Sequence, residues 1–421
     1  MTQQPQPPPV GPTPRPGLAR RTARFAARRV DAIFSRNGPA FRQLASSWAA
    51  NVAGDTLVAV GLAGTLFFSV PSGEARGNVA LYLVLTLAPF AVIAPVLGGI
   101  FTRFPGVYRA AIVLAAGLRS VLAIVMMTGL ETIWLYPLAF GMLVLSRLYG
   151  IGKSSLLPVA LPQPVALVSA NALLARIGIY AGAVVLPLGA LAARIDPAIA
   201  LLLAAIVFAV ATFYAVGLPD PRAARMDVPG SDDDRPVRAA SPRAVRISRL
   251  ATAGVRLLNG FLLLLLAFEF RSADAGALDF SALIAAAGAG YAIASLISPW
   301  LERRLREEPM VVAALAIEAA AAFIAGQFFG LGAAAALAAS AGLAWGTAKF
   351  AFDGLLQSSV PPHRRGRAFT RSETLFQLAW VVGAILPVTI TIPAEVGLAI
   401  AGVVALTAQT VFVAGLLVER R

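Results

Sequence analysis

The sequence predicts an all-α integral membrane protein of twelve transmembrane helices, arranged as two pseudo-symmetric six-helix bundles. Three observations carry that prediction. The 421 residues are 58% hydrophobic and only 13% charged, with a mean hydropathy of +0.77, more apolar surface than a soluble domain can bury. Apolar stretches of about 20 residues, the length that crosses a bilayer core, recur along the whole chain. One long polar interruption, residues 218–248, separates six such stretches from six more.

The elements follow in order. Residues 1–41 open with the proline-rich "MTQQPQPPPVGPTPRPG", expected to be disordered. Arg20, Arg21, Arg24, Arg28 and Arg29 then alternate with Leu18, Phe25, Val30 and Phe34. This segment is either an amphipathic helix on the inner membrane surface or a solvated basic tail. No short apolar core with a small-residue cleavage site follows the arginines, so it does not read as a secretory signal. The first bundle covers 42–217, with spans at 43–70, 78–101, 108–130, 133–153, 166–193 and 197–217. After the linker 218–248, the second bundle covers 249–421, with spans at 249–270, 278–301, 309–327, 330–357, 368–392 and 394–417.

Charge sets the orientation. The net charge is +14 and the isoelectric point about 11.2, but the excess is distributed by side. With both termini on one face, the opposite face receives only Arg76, Arg194 and Arg271 of the 35 lysines and arginines. The positive-inside rule therefore places both termini in the cytoplasm, and the basic balance implies topology and contact with membrane lipids, not nucleic acid. Only Lys153 and Lys349 are lysines, against 33 arginines, a bias expected of a GC-rich bacterial genome and hence of a bacterial plasma membrane. There is no cysteine, so no disulfide or thiolate metal site exists, and the one histidine, His363, lies among loop arginines.

The halves match at a shift of about 200 residues. "APVLGGIFTRF" (94–104) falls on "ASLISPWLERRL" (294–305), aligning Thr102 with Glu302 and Arg103 with Arg303. "SRLYGIG" (146–152) falls on "AKFAFDG" (348–354), aligning Arg147 with Lys349 and Gly152 with Gly354. "GAVVLP" ends at Pro187 and "VGAILP" at Pro387. Paired six-helix halves belong to secondary transporters with a site at the repeat interface.

Over residues 42–417 the chain resembles the major facilitator superfamily. Gly98, Gly99, Arg103 and Arg109 match the family's motif A between helices 2 and 3, with Thr102 where the motif carries an acid. "LLPVALPQPVALVSANALL" (156–174) is similar to the loop entering helix 5 in the drug, macrolide and siderophore exporter branch. "SRLYGIG" resembles motif B, with its glycine spacing off by one, and "RIGIYAGAVVLPLG" is loosely similar to the antiporter signature. Small residues at such spacing are also what close helix packing requires. The resemblance implies a cytoplasmic gate in which Arg103 meets the inner end of helix 11, where Glu373 stands, with Glu302 and Arg303 as the second-half pair. It also implies that helices 3, 6, 9 and 12 lie outside the cavity, which makes Arg119 and Glu318 structural supports.

Charges inside apolar spans face protein or water because each is costly in hydrocarbon. In the first span Trp48, Asn51 and Asp55 form one polar stripe. Asp55 is the proton-coupling candidate, and the alternative is a structural partner for Arg119 or Arg176. Arg147, Arg176, Tyr180, Arg256 and Asn259 are cavity candidates. In the tenth span Trp345, Lys349, Asp353 and Gln357 recur every fourth residue, and Lys349 and Asp353 can satisfy each other. They form either a self-contained pair that keeps a cavity wall wet or a gating and coupling element.

No phosphate loop, Ser/His/Asp set or metal-ligand cluster is written in the chain, so neither an enzyme nor a cofactor is expected. The expected function is proton-coupled efflux of a lipophilic or amphiphilic small molecule by alternating access, performed by a monomer. The alternatives are movement of lysophospholipid or other lipid between leaflets and, in another class, a transport-dead scaffold or sensor.

Overall fold

The computed structural model describes residues 37–63, 103–104, 107–130, 132, 134–162, 166–219, 240–272, 277–328, 330–390 and 392–419. The basic tail and the predicted second span at 78–101, with Gly98, Gly99 and Thr102, lie outside them. The described residues form eleven helices: α1 (Pro39–Ala63), α2 (Tyr108–Met127), α3 (Leu135–Ala160), α4 (Leu167–Ile195), α5 (Pro197–Val216), α6 (Pro242–Ser272), α7 (Ala277–Glu302), α8 (Glu307–Gln327), α9 (Leu331–Ser359), α10 (Pro362–Thr389) and α11 (Ala394–Glu419). Nine of these are long and apolar enough to cross a membrane. In hydrocarbon a helix satisfies its own backbone, which is why helices carry the whole architecture.

Local chemistry sets several helix ends. Pro197 starts α5 at a position where its missing N–H costs nothing, and Asp196 caps the same end by accepting from Ala198 N at 2.8 Å. Pro362 likewise opens α10, six residues before the start predicted from hydropathy alone. Conversely α3 runs through Pro158 to Ala160, beyond the predicted end at 153. Both shifts place charged residues, Lys153 and Glu373, well inside helices, with consequences for the site.

Helices α1–α5 pack against one another, and α6–α11 form a second group. In the second group two crossings rest on reciprocal glycines. A Cβ at Gly260 would overlap Trp380 O and one at Gly383 would overlap Leu257 O, so α6 and α10 touch backbone to backbone. Gly290 meets Ala339 O and Gly342 meets Ala287 O in the same way, which joins α7 to α9. Such approach replaces the missing hydrophobic drive between helices in lipid with dense packing. We predict that Gly383→Ala lowers the unfolding temperature and membrane yield by an overpacking cost of about 1–3 kcal/mol or more. Gly288→Ala in α7, where nothing lies within 4 Å, should leave both unchanged, as read by fluorescence-detected size exclusion after heating.

In the first group, Gly178, Gly182 and Gly189 of α4 lie against Trp48, Thr56 and Leu57 of α1. The glycines of "RIGIYAGAVVLPLG" thus serve as a packing face.

Candidate functional site

The two helix groups enclose a cavity of about 330 Å³. Trp48, Asp55, Arg147 and Lys153 line it from the first group, and Arg256, Tyr291, Trp345, Lys349, Asp353 and Glu373 from the second.

Its centre is an ion network on α9 and α10. Lys349 Nζ donates to Asp353 Oδ1 at 2.6 Å, one turn along the same helix, and to Glu373 Oε1 of α10 at 2.5 Å. Asp353 is buried at 8% side-chain exposure and Glu373 is at 26%, so the ammonium bridges a dry acid and a wetter one. Glu373 reaches this depth because α10 begins at Pro362, which puts it three turns into the helix. The expected meeting of Arg103 with Glu373 at a gate is therefore replaced. Arg103 is exposed, its guanidinium 6.0 Å from the Phe104 ring, and Glu373 belongs to the cavity.

A second network lies in the first group. Arg119 of α2 is 1% exposed; it donates through Nη1 to Asn51 Oδ1 at 2.8 Å and through Nη2 to Asp55 Oδ1. Asn51 Nδ2 in turn donates to Asp55 Oδ2 at 3.2 Å, and the Arg119 guanidinium stacks 4.1 Å over Phe208. Asp55 is thus a partner of Arg119 and at 38% exposure also faces the cavity. Of the two roles considered for it from the sequence, the partnership with Arg119 is the one present here.

Two further cations rest on indole faces. Lys153 Nζ lies 4.0 Å over Trp48, and the Arg256 guanidinium lies 4.6 Å over Trp345 and 5.6 Å over Trp380. Trp48 is held by its own hydrogen bond to Leu174 O at 2.8 Å and by stacking on Tyr149. Lys153 was not among the residues expected in the cavity, because a span ending at 153 puts it at the membrane edge. Pro158, read as a loop signal, sits inside α3.

Of the other expected cavity residues, Asn259 turns to α8 and donates to Glu318 Oε1 at 2.7 Å. Tyr180 is 57% exposed, and neither it nor Arg176 lines the cavity.

Three groups of hydrogen bonds join the halves, all at the end where α3, α7 and α9 finish and α4 and α10 begin. Glu302 at the end of α7 caps α4, accepting from Val168 N at 3.1 Å, from Ser169 N at 2.9 Å and from Ser169 Oγ. A carboxylate at a helix N-terminus satisfies orphan N–H groups and complements the macrodipole. Gln357 of α9 donates to Ser154 O of α3 at 2.8 Å and accepts from Asn171 Nδ2 of α4 at 2.7 Å. Tyr108 at the start of α2 donates to Pro362 O at 2.6 Å and accepts from Gly366 N at 3.2 Å. Arg303, next to Glu302, is exposed. Together these contacts tie the two halves to each other at this end.

The same architecture occurs in solved transporters. A bacterial homologue of the iron transporter ferroportin in an outward-facing state superposes with a TM-score of 0.66 at 16% identity, over 90% of this chain and 99% of that one. A major facilitator superfamily transporter in the outward conformation does so with a TM-score of 0.59 at 13% identity, over 88% of this chain and 97% of that one. The chain has the major facilitator fold. A human organic anion transporter shares this fold with a TM-score of 0.62 at 15% identity, over 88% of this chain and 98% of that one. No protein-family profile matches the sequence. An uncharacterized protein of Mycobacterium leprae is 31% identical over 381 residues, 81% of this chain and 65% of that protein. Uncharacterized proteins from two strains of Mycobacterium tuberculosis are 41% identical over 154 residues, 35% of this chain and 27% of theirs. The chain therefore spans at most about two thirds of the length of these mycobacterial relatives. Within the major facilitator fold, the cavity at the junction of the halves is the candidate site.

Proposed function

We propose that this chain is a secondary active transporter that exports an amphiphilic small molecule in exchange for protons, as in the drug, macrolide and siderophore exporter branch. It works by alternating access in the bacterial plasma membrane, with both termini in the cytoplasm. The observation that carries this reading is one cavity with charged and aromatic walls from both halves, which are tied together at the basic-loop end by Glu302, Gln357 and Tyr108. Breaking these three contacts while the opposite ends of the halves come together moves the cavity from one face of the membrane to the other.

The proton is assigned to the Lys349 network by charge balance. One ammonium serves two carboxylates there, so a proton on Asp353 or Glu373 leaves a one-to-one pair. A proton on Asp55 would instead leave the buried Arg119 facing a neutral acid, a far less favourable arrangement. Asp55 remains the rival site for coupling.

The chain has no cysteine, so a Ser169→Cys, Glu302→Cys pair can be oxidised without background. In proteoliposomes with an entrapped pH dye, the reduced pair should retain amphiphile-driven proton movement, and the cross-linked pair should lose at least about 90% of it, recovering with reductant. Transport that ignores the cross-link would defeat alternating access through this gate. Movement of lysophospholipid without proton flux would favour lipid transfer, and no flux for any amphiphile would favour the scaffold.

A further inference from the structure

The transporter reading leaves the chemistry of the cargo open, and the charges of the cavity bear on it. Among the described residues, Arg147, Lys153, Arg256 and Lys349 line the cavity with three carboxylates, Asp55, Asp353 and Glu373, and Arg119 stands behind Asp55. All three carboxylates are already engaged, Asp55 by Arg119 and the other two by Lys349. Lys153 and Arg256 are left without a carboxylate hydrogen bond among the described residues. Each lies on an indole face instead.

The arrangement has a built character. In the first half the cation comes from α3 and the indole from α1; in the second the cation comes from α6 and the indole from α9. The two platforms thus belong to different halves and border one cavity. A half-buried positive excess is unfavourable until an anion enters, and charge-assisted hydrogen bonds to an oxyanion are stronger than those to neutral groups. Around the cations, Tyr291, Phe350, Phe369 and Phe376 supply apolar wall. A volume of about 330 Å³ is at the small end of small-molecule sites, which suits a compact body and not a two-chain lipid.

We infer that the cargo is a compact organic anion, bearing a carboxylate, sulfonate or phosphate group on an aromatic or short apolar body, and that Lys153 and Arg256 bind the anionic group from opposite halves. This inference rests on the transporter reading for its biological sense, but the anion site is a binding claim that stands or falls separately.

The test compares 2-naphthoate, 2-naphthylmethanol and 2-naphthylmethylammonium, which share one ring system and differ in charge. Binding to the purified full chain is followed by thermal shift and tryptophan emission, since Trp48 and Trp345 carry the two cations. Naphthoate should bind at least about tenfold more tightly than the alcohol or the ammonium, and Lys153→Gln or Arg256→Gln should each remove about tenfold of that preference. Lys153→Arg should restore much of it. Equal binding of the three probes, or tighter binding of the ammonium, would overturn the inference on the unmodified protein, whether or not any variant folds. Unchanged naphthoate affinity in both Gln variants would overturn the residue assignment. Naphthoate binding without flux in proteoliposomes would defeat the transporter reading and leave the anion site standing. Flux of the alcohol or ammonium in preference to naphthoate would do the reverse.

Discussion

Lys349→Ala is expected to be among the most damaging single substitutions in the chain. It removes the ammonium that holds Asp353 at 2.6 Å and Glu373 at 2.5 Å, and so strands a buried carboxylate beside a second, half-buried one. Removing one member of a buried ionic group costs about 3–5 kcal/mol, because the survivors keep their desolvation penalty and lose their compensation. The unfolding temperature and the monodisperse yield should both fall sharply. Removing the acids as well, in Lys349→Ala with Asp353→Ala and Glu373→Gln, should recover most of the loss. Transport then separates structure from coupling. The triple variant should fold but fail to build a gradient of cargo, and Glu373→Gln alone should retain cargo exchange while losing proton-driven accumulation. Equal yields for the single and triple variants would show that the three residues are not energetic partners.

Asp55→Ala should be more destabilising than Arg119→Ala, although the two residues form one ion pair. The reason is the difference in burial: Arg119 is 1% exposed and Asp55 38%. Without its arginine, Asp55 finds cavity water, whereas without its aspartate Arg119 keeps only neutral partners, Asn51, the Met142 sulfur and the Phe208 face, among the described residues. An uncompensated buried guanidinium again implies a loss of about 3–5 kcal/mol, and Asp55→Ala combined with Arg119→Met should restore stability. The rescued double variant also decides between the two coupling sites. Proton-driven accumulation in it would confirm the Lys349 network as the carrier, and folded protein that only equilibrates its cargo would move the proton to Asp55. Thermal unfolding and flux on the same preparation read both quantities.

The sequence was most legible where a single helix carried the signal. Trp345, Lys349 and Asp353 fall one turn apart, so their shared face follows from helix geometry, and all three line the cavity. Trp48 and Asp55 were readable for the same reason. What failed to show was anything dependent on where a helix begins or ends in space. Lys153 was hidden because α3 continues through Pro158, and Glu373 was displaced because Pro362 starts α10 early. A proline near a polar segment reads as a break in one dimension, yet in a membrane neighbouring helices can satisfy the freed backbone, or the ring can take the first turn. Pairings between helices, such as Asn259 with Glu318 or Tyr108 with Pro362, leave no trace in local spacing.

The two outer seams of the end where the halves are tied are made of different materials. On one flank Glu302 holds α4 with a full negative charge against backbone N–H groups, and on the other Tyr108 holds α10 with an uncharged phenol. Dissolved salt weakens the first kind of contact far more than the second. As ionic strength rises, the protein should therefore open like a door hung on its Tyr108 side, the Glu302 seam swinging free first, and not like a pair of jaws parting evenly.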